Sequence, residues 1–431
     1  MTTEHSHGFN DVGMSADILV NKPDLVVFVP RHREGVAFDP SETGDSYNDH
    51  FQVVSDSAHG LLHAFWTQAT KEGDIDQHIA YSRSADGGES WTHPVVLAGS
   101  ANRKNPLLRA SWQQPMLSKG GRLYCLWNQQ TTSQGPHCGM MFGAYSDDAG
   151  ETWSTPKLVP FPMRTDADPA NPLVPPSWCN WQRPLRLGDG GRYFVGCSRH
   201  GKAPYDAKTC CKIEFWQFEN IDENPEVEDI RVSFFATNRD ALSAESAETV
   251  PGITAFTPVV KPNGKPEDPA VEEASVVKLP DGRLFALMRS SLGCPVWSQS
   301  YNAGHTWSRP RPLLDRDGGA PFLHPRSPCP IYDWSGPEAA SGMYFALVHN
   351  AFDFTAKTAY QRRGPLYLIA GKFVQDAEQP LWFGKPRLFA PRPDGNSFYT
   401  SYCVVRGKGI LWFNDRKYYL LGRVIGEEWF C

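Results

Sequence analysis

Six stretches of this 431-residue chain begin or end in side chains able to hold an anion or move a proton. In order they carry His50 and Gln68, Gln114 and Asn128, Arg183 with Arg199 and His200, Glu273 and Arg289, Arg326 with His349, and Tyr402 with Asn414 and Asp415. Arginine forks match a carboxylate through paired hydrogen bonds, most strongly where water is excluded. Histidine exchanges a proton near neutral pH, and tyrosine does so once neighbouring arginines lower its pKa. The chemistry on offer is therefore recognition of an anionic ligand with acid–base transfer beside it. Arg183, Arg199, Arg289 and Arg326 are the expected clamps, and His50, His200, Tyr402 and Glu273 the expected proton-transfer groups. Gln114, Asn128 and His349 complete the expected binding surface. Taken singly, each is as readily a satisfied structural group; the sixfold recurrence at one end of a repeat points to a pocket.

The elements that must position these residues are strand pairs. Phe51–Val54 reads with Leu61–Thr67, Pro115–Leu117 with Arg122–Asn128, and Pro184–Leu187 with Arg192–Ser198. Ser275–Leu279 follows with Arg283–Arg289, then Pro328–Tyr332 with Met343–His349 and Tyr402–Val405 with Gly409–Asn414. An eight-residue turn also recurs, as Ser84-Ala-Asp-Gly-Gly-Glu-Ser-Trp91, Ser146-Asp-Asp-Ala-Gly-Glu-Thr-Trp153 and Ser300-Tyr-Asn-Ala-Gly-His-Thr-Trp307. In each copy Asp or Asn bonds its own turn, Gly supplies a positive φ, and Trp plugs the hairpin, so the box is expected to be structural. Repeats of this size predict an all-β propeller of four-stranded antiparallel blades, six by count, with a seventh as the alternative. Innermost strands start at the face to which second strands return, so the candidate residues converge there and the boxes fall on the opposite face. Residues 1–22 read as an unfolded or loosely attached arm, residues 23–431 as one propeller domain, and Asp24–Val29 as a strand closing the ring. The excess length through residue 270 reads as a hairpin, Cys211–Phe218 with Ile230–Phe235, plus a loop; a degenerate seventh blade is the rival.

The formal charge of −6 without a basic run argues against nucleic acid, while 14 Trp and 15 Tyr suit stacking on sugar rings as well as core packing. An oligo- or polysaccharide is the expected partner, and a monomer the expected state. Ten Cys include no Cys-x-x-Cys pair, so reduced structural thiols and no metal site are expected. A calcium ion at the ring centre would suit the architecture, although no Asp-x-Asp-x-Asp loop announces it. No apolar export core or spanning segment is visible, which predicts a cytoplasmic protein with no membrane partner, or a secreted or periplasmic one if an export signal precedes this sequence.

The eight-residue box resembles the Asp-box of sialidase-type β-propellers, and three copies make the resemblance specific. Glu273-Ala-Ser-Val-Val-Lys-Leu-Pro-Asp-Gly-Arg-Leu-Phe-Ala-Leu-Met-Arg289 looks like the sialidase segment carrying an acidic residue and a substrate-carboxylate arginine. Phe398-Tyr-Thr-Ser-Tyr-Cys-Val-Val405 is similar to the segment holding the catalytic tyrosine. That resemblance implies Glu273 as base partner, Arg289 as clamp, and Tyr399 or Tyr402 as nucleophile. The sialidase Arg-Ile-Pro is absent, and His50 of Asn48-Asp-His-Phe-Gln52 stands in its place.

The first third of the chain, through His63-Ala-Phe-Trp-Thr-Gln68, Asp76-Gln-His78 and Ser111 to Asn128, looks like propellers that cleave rhamnose from glucuronate at plant gum and arabinogalactan ends. This resemblance implies an exo-acting lyase or hydrolase of the L-rhamnose-α-1,4-D-glucuronate bond. Elimination there requires the carboxylate neutralised, a base at C5 and an acid at the leaving oxygen; hydrolysis requires a water activated by a base such as Glu273. An exo-α-sialidase and a non-catalytic glycan-binding propeller are the alternatives.

Overall fold

The computed structural model describes residues 5–6, 16–31, 44–99, 109–131, 137–160, 165–166, 168, 171–200, 211–243, 246–248, 270–355 and 361–430. Among them there is no α-helix, and the strands form six antiparallel blades arranged as a ring. Blade one is built from Tyr47–Asp56, Leu61–Ala69, His78–Ser84 and Val95–Gly99, and blade two from Ala110–Leu117, Leu123–Gln130, Gly139–Ser146 and Lys157–Leu158. Blade three uses Trp178–Cys179, Tyr193–Arg199, Lys212–Phe218 and Val232–Phe235; blade four uses Val271–Lys278, Leu284–Ser290, Val296–Ser300 and Arg311–Pro312. Blade five pairs Ile331–Asp333, Met343–Val348 and Leu366–Phe373, with Leu381–Phe383 and Arg387–Ala390 both on its outer edge.

Blade six supplies only Ser401–Val405, Lys408–Asp415 and Tyr419–Val424 from the C-terminal part; its outer strand is Leu25–Phe28. Strands from the two ends of the propeller are thereby hydrogen-bonded into one sheet, which holds the ring closed. Of the preceding residues, Ile18 is buried in the core between blades five and six, and the Asn21 side chain donates to Asn396 at 3.0 Å; residues 1–4 and 7–15 of the expected arm lie outside the described residues. The long stretch after the third repeat completes blade three, with Phe218 opposite Val232, so the count is six.

Among the described residues the apolar core is divided rather than central. Six apolar clusters lie one at each blade interface, for example Phe51, Trp66 and Trp91 against Cys403 and Trp412 where blades one and six meet. A strand buried on both faces must be apolar on both, which is why the inner strands lack the alternation of a half-exposed sheet. The three boxes superpose chemically. Ser84, Ser146 and Ser300 donate to Asp86, Asp148 and Asn302 at 2.8, 2.7 and 3.0 Å, and accept from the amides of Gly88, Gly150 and Gly304 at 2.9, 2.8 and 2.9 Å. Each glycine has φ between +84° and +100°, and a Cβ there would strike Trp412, Tyr81 or Phe194 of the preceding blade. Each box tryptophan packs on that same blade, Trp91 on Trp412, Trp153 on Phe65 and Tyr81, and Trp307 on Phe215. The box is thus a rivet between neighbouring blades, occupied by no site residue.

Candidate active site

Three inner strands break their pairing at the same face, between Asp49 and Gln52, Ser111 and Gln114, and Glu272 and Ala274. At each bulge one residue is left-handed: His50 (φ +52°), Trp112 (φ +55°) and Glu273 (φ +56°). A non-glycine residue pays on the order of 1 kcal/mol or more for that conformation, and bulges re-aim side chains beside functional sites. Here they are held by neighbouring blades. The Gln113 amide donates to the His50 carbonyl, the Trp181 indole donates to the Glu273 carbonyl at 3.2 Å, and the Glu273 amide donates to Ser198 Oγ at 2.7 Å. One consequence is that consecutive residues Glu272 and Glu273 both reach Arg289, which the alternation of a regular strand forbids.

The bulges and blade six meet at Tyr399. Its hydroxyl donates to Glu273 Oε1 at 2.9 Å, and Arg289 Nη1 lies 2.5 Å from Glu273 Oε2 and 3.2 Å from the same Tyr399 oxygen. The His50 ring packs on Tyr399 at 4.8 Å between centroids, with Trp181 at 6.0 Å. Trp112 Nε1 donates to His50 Nε2 at 3.1 Å, while His50 Nδ1 is buried with no protein partner among the described residues. Behind this pair Asp49 accepts from Asn414 at 2.6 Å and Tyr47 at 3.0 Å and pairs with Lys417 at 3.0 Å; Lys417 Nζ is 5.5 Å from the Tyr399 ring.

Electrostatics assigns protonation states. Burial, reinforced by Glu273 and opposed by Arg289, pushes Tyr399 well above an ordinary phenol, so it rests protonated. Burial holds His50 below the usual histidine range against the pull of Asp49, so its ring is neutral near pH 7. With Nε2 occupied as an acceptor, a neutral ring must carry its hydrogen on Nδ1. Burial works against ionisation of Glu272, but Arg289 and Arg326 outweigh it and hold it well below the usual carboxylate range. Asp49 is likewise held ionised, burial being overcome by Lys417 and His50.

The other expected residues divide. Arg326 is at the cluster, but its Nε and Nη2 grip Glu272 at 2.7 and 3.0 Å. His200 lies one step further, with Cys179 Sγ 3.1 Å from Nε2, Cys211 Sγ 2.9 Å from Nδ1, and His137 tilted against its ring at 4.3 Å between centroids. Tyr402 is not in the cluster: it is buried against Tyr332 and Phe345 and donates to the Trp334 carbonyl at 2.6 Å. Neither is Arg199, fully buried in an ion pair with Asp168 and 3.6 Å from Glu214. Arg183 is buried, and its backbone amide donates to Gln52 Oε1 at 3.2 Å. Gln114 exchanges amide hydrogen bonds with Asn180, Asn128 donates to the carbonyls of His137 and Trp178 at 3.0 Å, and His349 bonds the Pro365 carbonyl and Ser327. These last groups tie blades and loops together.

The residues that strand-end reasoning passed over are Asp49, Trp112, Glu272, Arg363 and Lys417. Arg363 donates to the Arg326 carbonyl at 2.9 Å and pulls on the Tyr399 hydroxyl. The doublet Glu272-Glu273 at the start of an apolar strand was the available signal. An open depression of about 640 Å³ lined by Asn220, Glu223 and Arg231 lies at the turn between the third and fourth strands of blade three, on the face opposite the cluster, without a histidine or tyrosine.

Comparisons agree with this architecture. A BNR repeat-like domain matches residues 60–242. No curated protein matches the chain in sequence. Among solved structures, a Hadza microbial sialidase matches with a TM-score of 0.58 at 12% identity, over 89% of this chain and 66% of that one. The intramolecular trans-sialidase from Ruminococcus gnavus gives 0.57 at 12% identity over 92% of this chain and 97% of that one. A mutant of the NanB sialidase from Streptococcus pneumoniae gives 0.56 at 11%, over 96% of this chain and 72% of that one. The chain is therefore a six-bladed β-propeller with the fold of the sialidases and a BNR repeat-like region spanning its first three blades.

Proposed function

We propose that this protein is an exo-acting glycan-cleaving enzyme for substrates ending in an acidic sugar, with Tyr399 as nucleophile and Glu273 as its proton acceptor. The observation that carries the reading is the hydrogen bond from the Tyr399 hydroxyl to Glu273, with Arg289 beside the same oxygen. A carboxylate nucleophile would be repelled by an anionic sugar; a phenol is neutral until its proton leaves. As Oη bonds the anomeric carbon its proton passes to Glu273, the bond from that carbon to the aglycone breaks, and the departing oxygen takes a proton from solvent water; a second water then attacks the anomeric carbon of the aryl glycoside, its proton lost to solvent, while Glu273 returns its proton to the Tyr399 oxygen. In this reading Arg289, which also pairs with Glu272 and Glu273, attracts the sugar carboxylate. His50, with Nδ1–H unpartnered among the described residues, fits as a donor to a substrate oxygen rather than as a base. The substrate class that best suits a tyrosine–glutamate pair is a terminal sialoside, tested by release of free sialic acid from a fluorogenic sialoside.

A second reading rests on His50 standing where the sialidase pattern places an arginine. Two donors from Arg289 and His50 on a uronate carboxylate would acidify its C5 proton, and Tyr399 relayed by Glu273 would carry that proton. Digestion of an acidic arabinogalactan separates the readings: a 4,5-unsaturated uronate reports elimination, and free rhamnose with a saturated uronate reports hydrolysis.

A further inference from the structure

The cluster around His200 is used by neither reading. Its ligand-bearing atoms are close: one from each of His137, Cys179 and His200 lies within 4.8 Å of the other two, and the same holds for His200, Cys211 and Glu272. We infer that His137, Cys179 and Nε2 of His200 form a binding site for a divalent ion of the zinc class, with Cys211 holding the far nitrogen of His200. The donor set decides the class. One thiolate with two imidazoles suits zinc and its borderline-soft neighbours and is a poor match for calcium or magnesium, which take oxygen ligands. The 3.1 Å between His200 Nε2 and Cys179 Sγ is near the edge of about 3.5 Å expected when nitrogen and sulfur bind one tetrahedral ion.

The surroundings are those of a metal site as well. A ligating histidine gives its second nitrogen to an outer partner that fixes ring and tautomer, and Cys211 Sγ occupies that position at 2.9 Å. Glu272 interacts with the Cys211 thiol in turn. His137 is stacked on Trp112 at 4.8 Å and lies tilted against His200 at 4.3 Å between centroids. Burial, with His200 beside it, holds His137 well below the usual range, and burial holds His200 below it against the pull of Glu272 and Glu273, so both rings are neutral. Burial holds the Cys179 thiol high, so uptake must displace its proton to solvent as the sulfur–metal bond forms. The ligands come from separate stretches on blades two and three, which is why no Cys-x-x-Cys spacing announces them.

The test uses the full-length chain, stripped with a chelator, and zinc or cobalt(II) alone, with no turnover measurement. Failure of the Tyr399 reading and failure of this one are thus separable. Wild type should retain one zinc per chain through gel filtration, and cobalt(II) should give tetrahedral visible bands with a thiolate charge-transfer band. Cys179→Ser should lose the charge-transfer band and bind zinc at least a hundredfold more weakly. His137→Gln serves as a second ligand variant if Cys179→Ser folds poorly. Cys211→Ser should weaken zinc by about 10- to 100-fold while keeping the cobalt–thiolate band, as loss of an outer partner does. Cys294→Ser, a buried thiol of blade four, should change nothing. Stripped wild type that takes up no zinc, a Cys179→Ser protein binding like wild type, or loss of the thiolate band only in Cys211→Ser would overturn the assignment.

Discussion

Tyr399 and Glu273, 126 positions apart in the chain, are joined by a hydrogen bond of 2.9 Å across the ring, and Glu273 reaches it from a left-handed bulge. Glu273→Gln keeps the shape and removes the proton acceptor. It should cost about 10²- to 10⁴-fold in kcat at the working pH, the range for loss of a general base, with the melting temperature little changed. Steady-state kinetics beside a thermal melt checks this; a rate within threefold of wild type would remove Glu273 from the chemistry.

His50 separates donation from proton transfer. An asparagine can donate a hydrogen bond but cannot carry a proton, so His50→Asn should keep more activity than His50→Ala by tenfold or so, mainly through KM. Equal and severe loss of kcat in both variants would instead assign His50 to proton transfer.

Trp153 tests the boxes. Its ring meets Tyr81 at 5.2 Å and Phe65 at 5.9 Å, edge to face, across the interface of blades one and two. Trp153→Ala should destabilise the fold by about 3 kcal/mol, as large aromatic truncations do, measured by denaturant unfolding. Any activity loss should follow the unfolded fraction only.

Seven histidines, His50, His63, His78, His137, His200, His324 and His349, are held below their usual range chiefly by desolvation, His349 down to about 4. The unfolded chain protonates them near pH 6.5 while the folded one does not. Their contribution is therefore complete above about pH 6.5 and is lost as pH falls toward 4, on the order of 3 kcal/mol for His349 alone. Chemical denaturation at pH 7.5, 6.0 and 5.0 should show a steady fall; a flat profile would mean the rings are solvated.

The ring and its rivets were legible in the sequence because repetition supplies its own control. Three boxes with Ser, Asp or Asn, Gly and Trp at matching positions cannot easily arise from anything but equivalent turns. The site was legible only as a face. Strand-end logic brought His50, Glu273, Arg289 and Arg326 to one place, but it assumed regular strands. Bulges at His50, Trp112 and Glu273 changed which neighbours share a side, so Glu272 and Asp49 entered the cluster unannounced. Arg199 and Tyr402 have the right residue type at the right end of a strand, yet Asp168 and Trp334 use their polar atoms. Lys417 comes from the turn after Lys408–Asp415, in the left-handed region (φ +58°), a placement no periodicity foretells.

The most direct test is Tyr399→Phe, assayed beside wild type on a fluorogenic sialoside and on an acidic arabinogalactan, with products separated and the unsaturated uronate monitored. Wild type should release the terminal sugar from one of them, and the variant should lose about 10²-fold or more of that rate while its melting temperature stays within a few degrees. A folded Tyr399→Phe protein that cleaves the same substrate at the wild-type rate, or a wild type that cleaves neither glycan, would contradict the assignment.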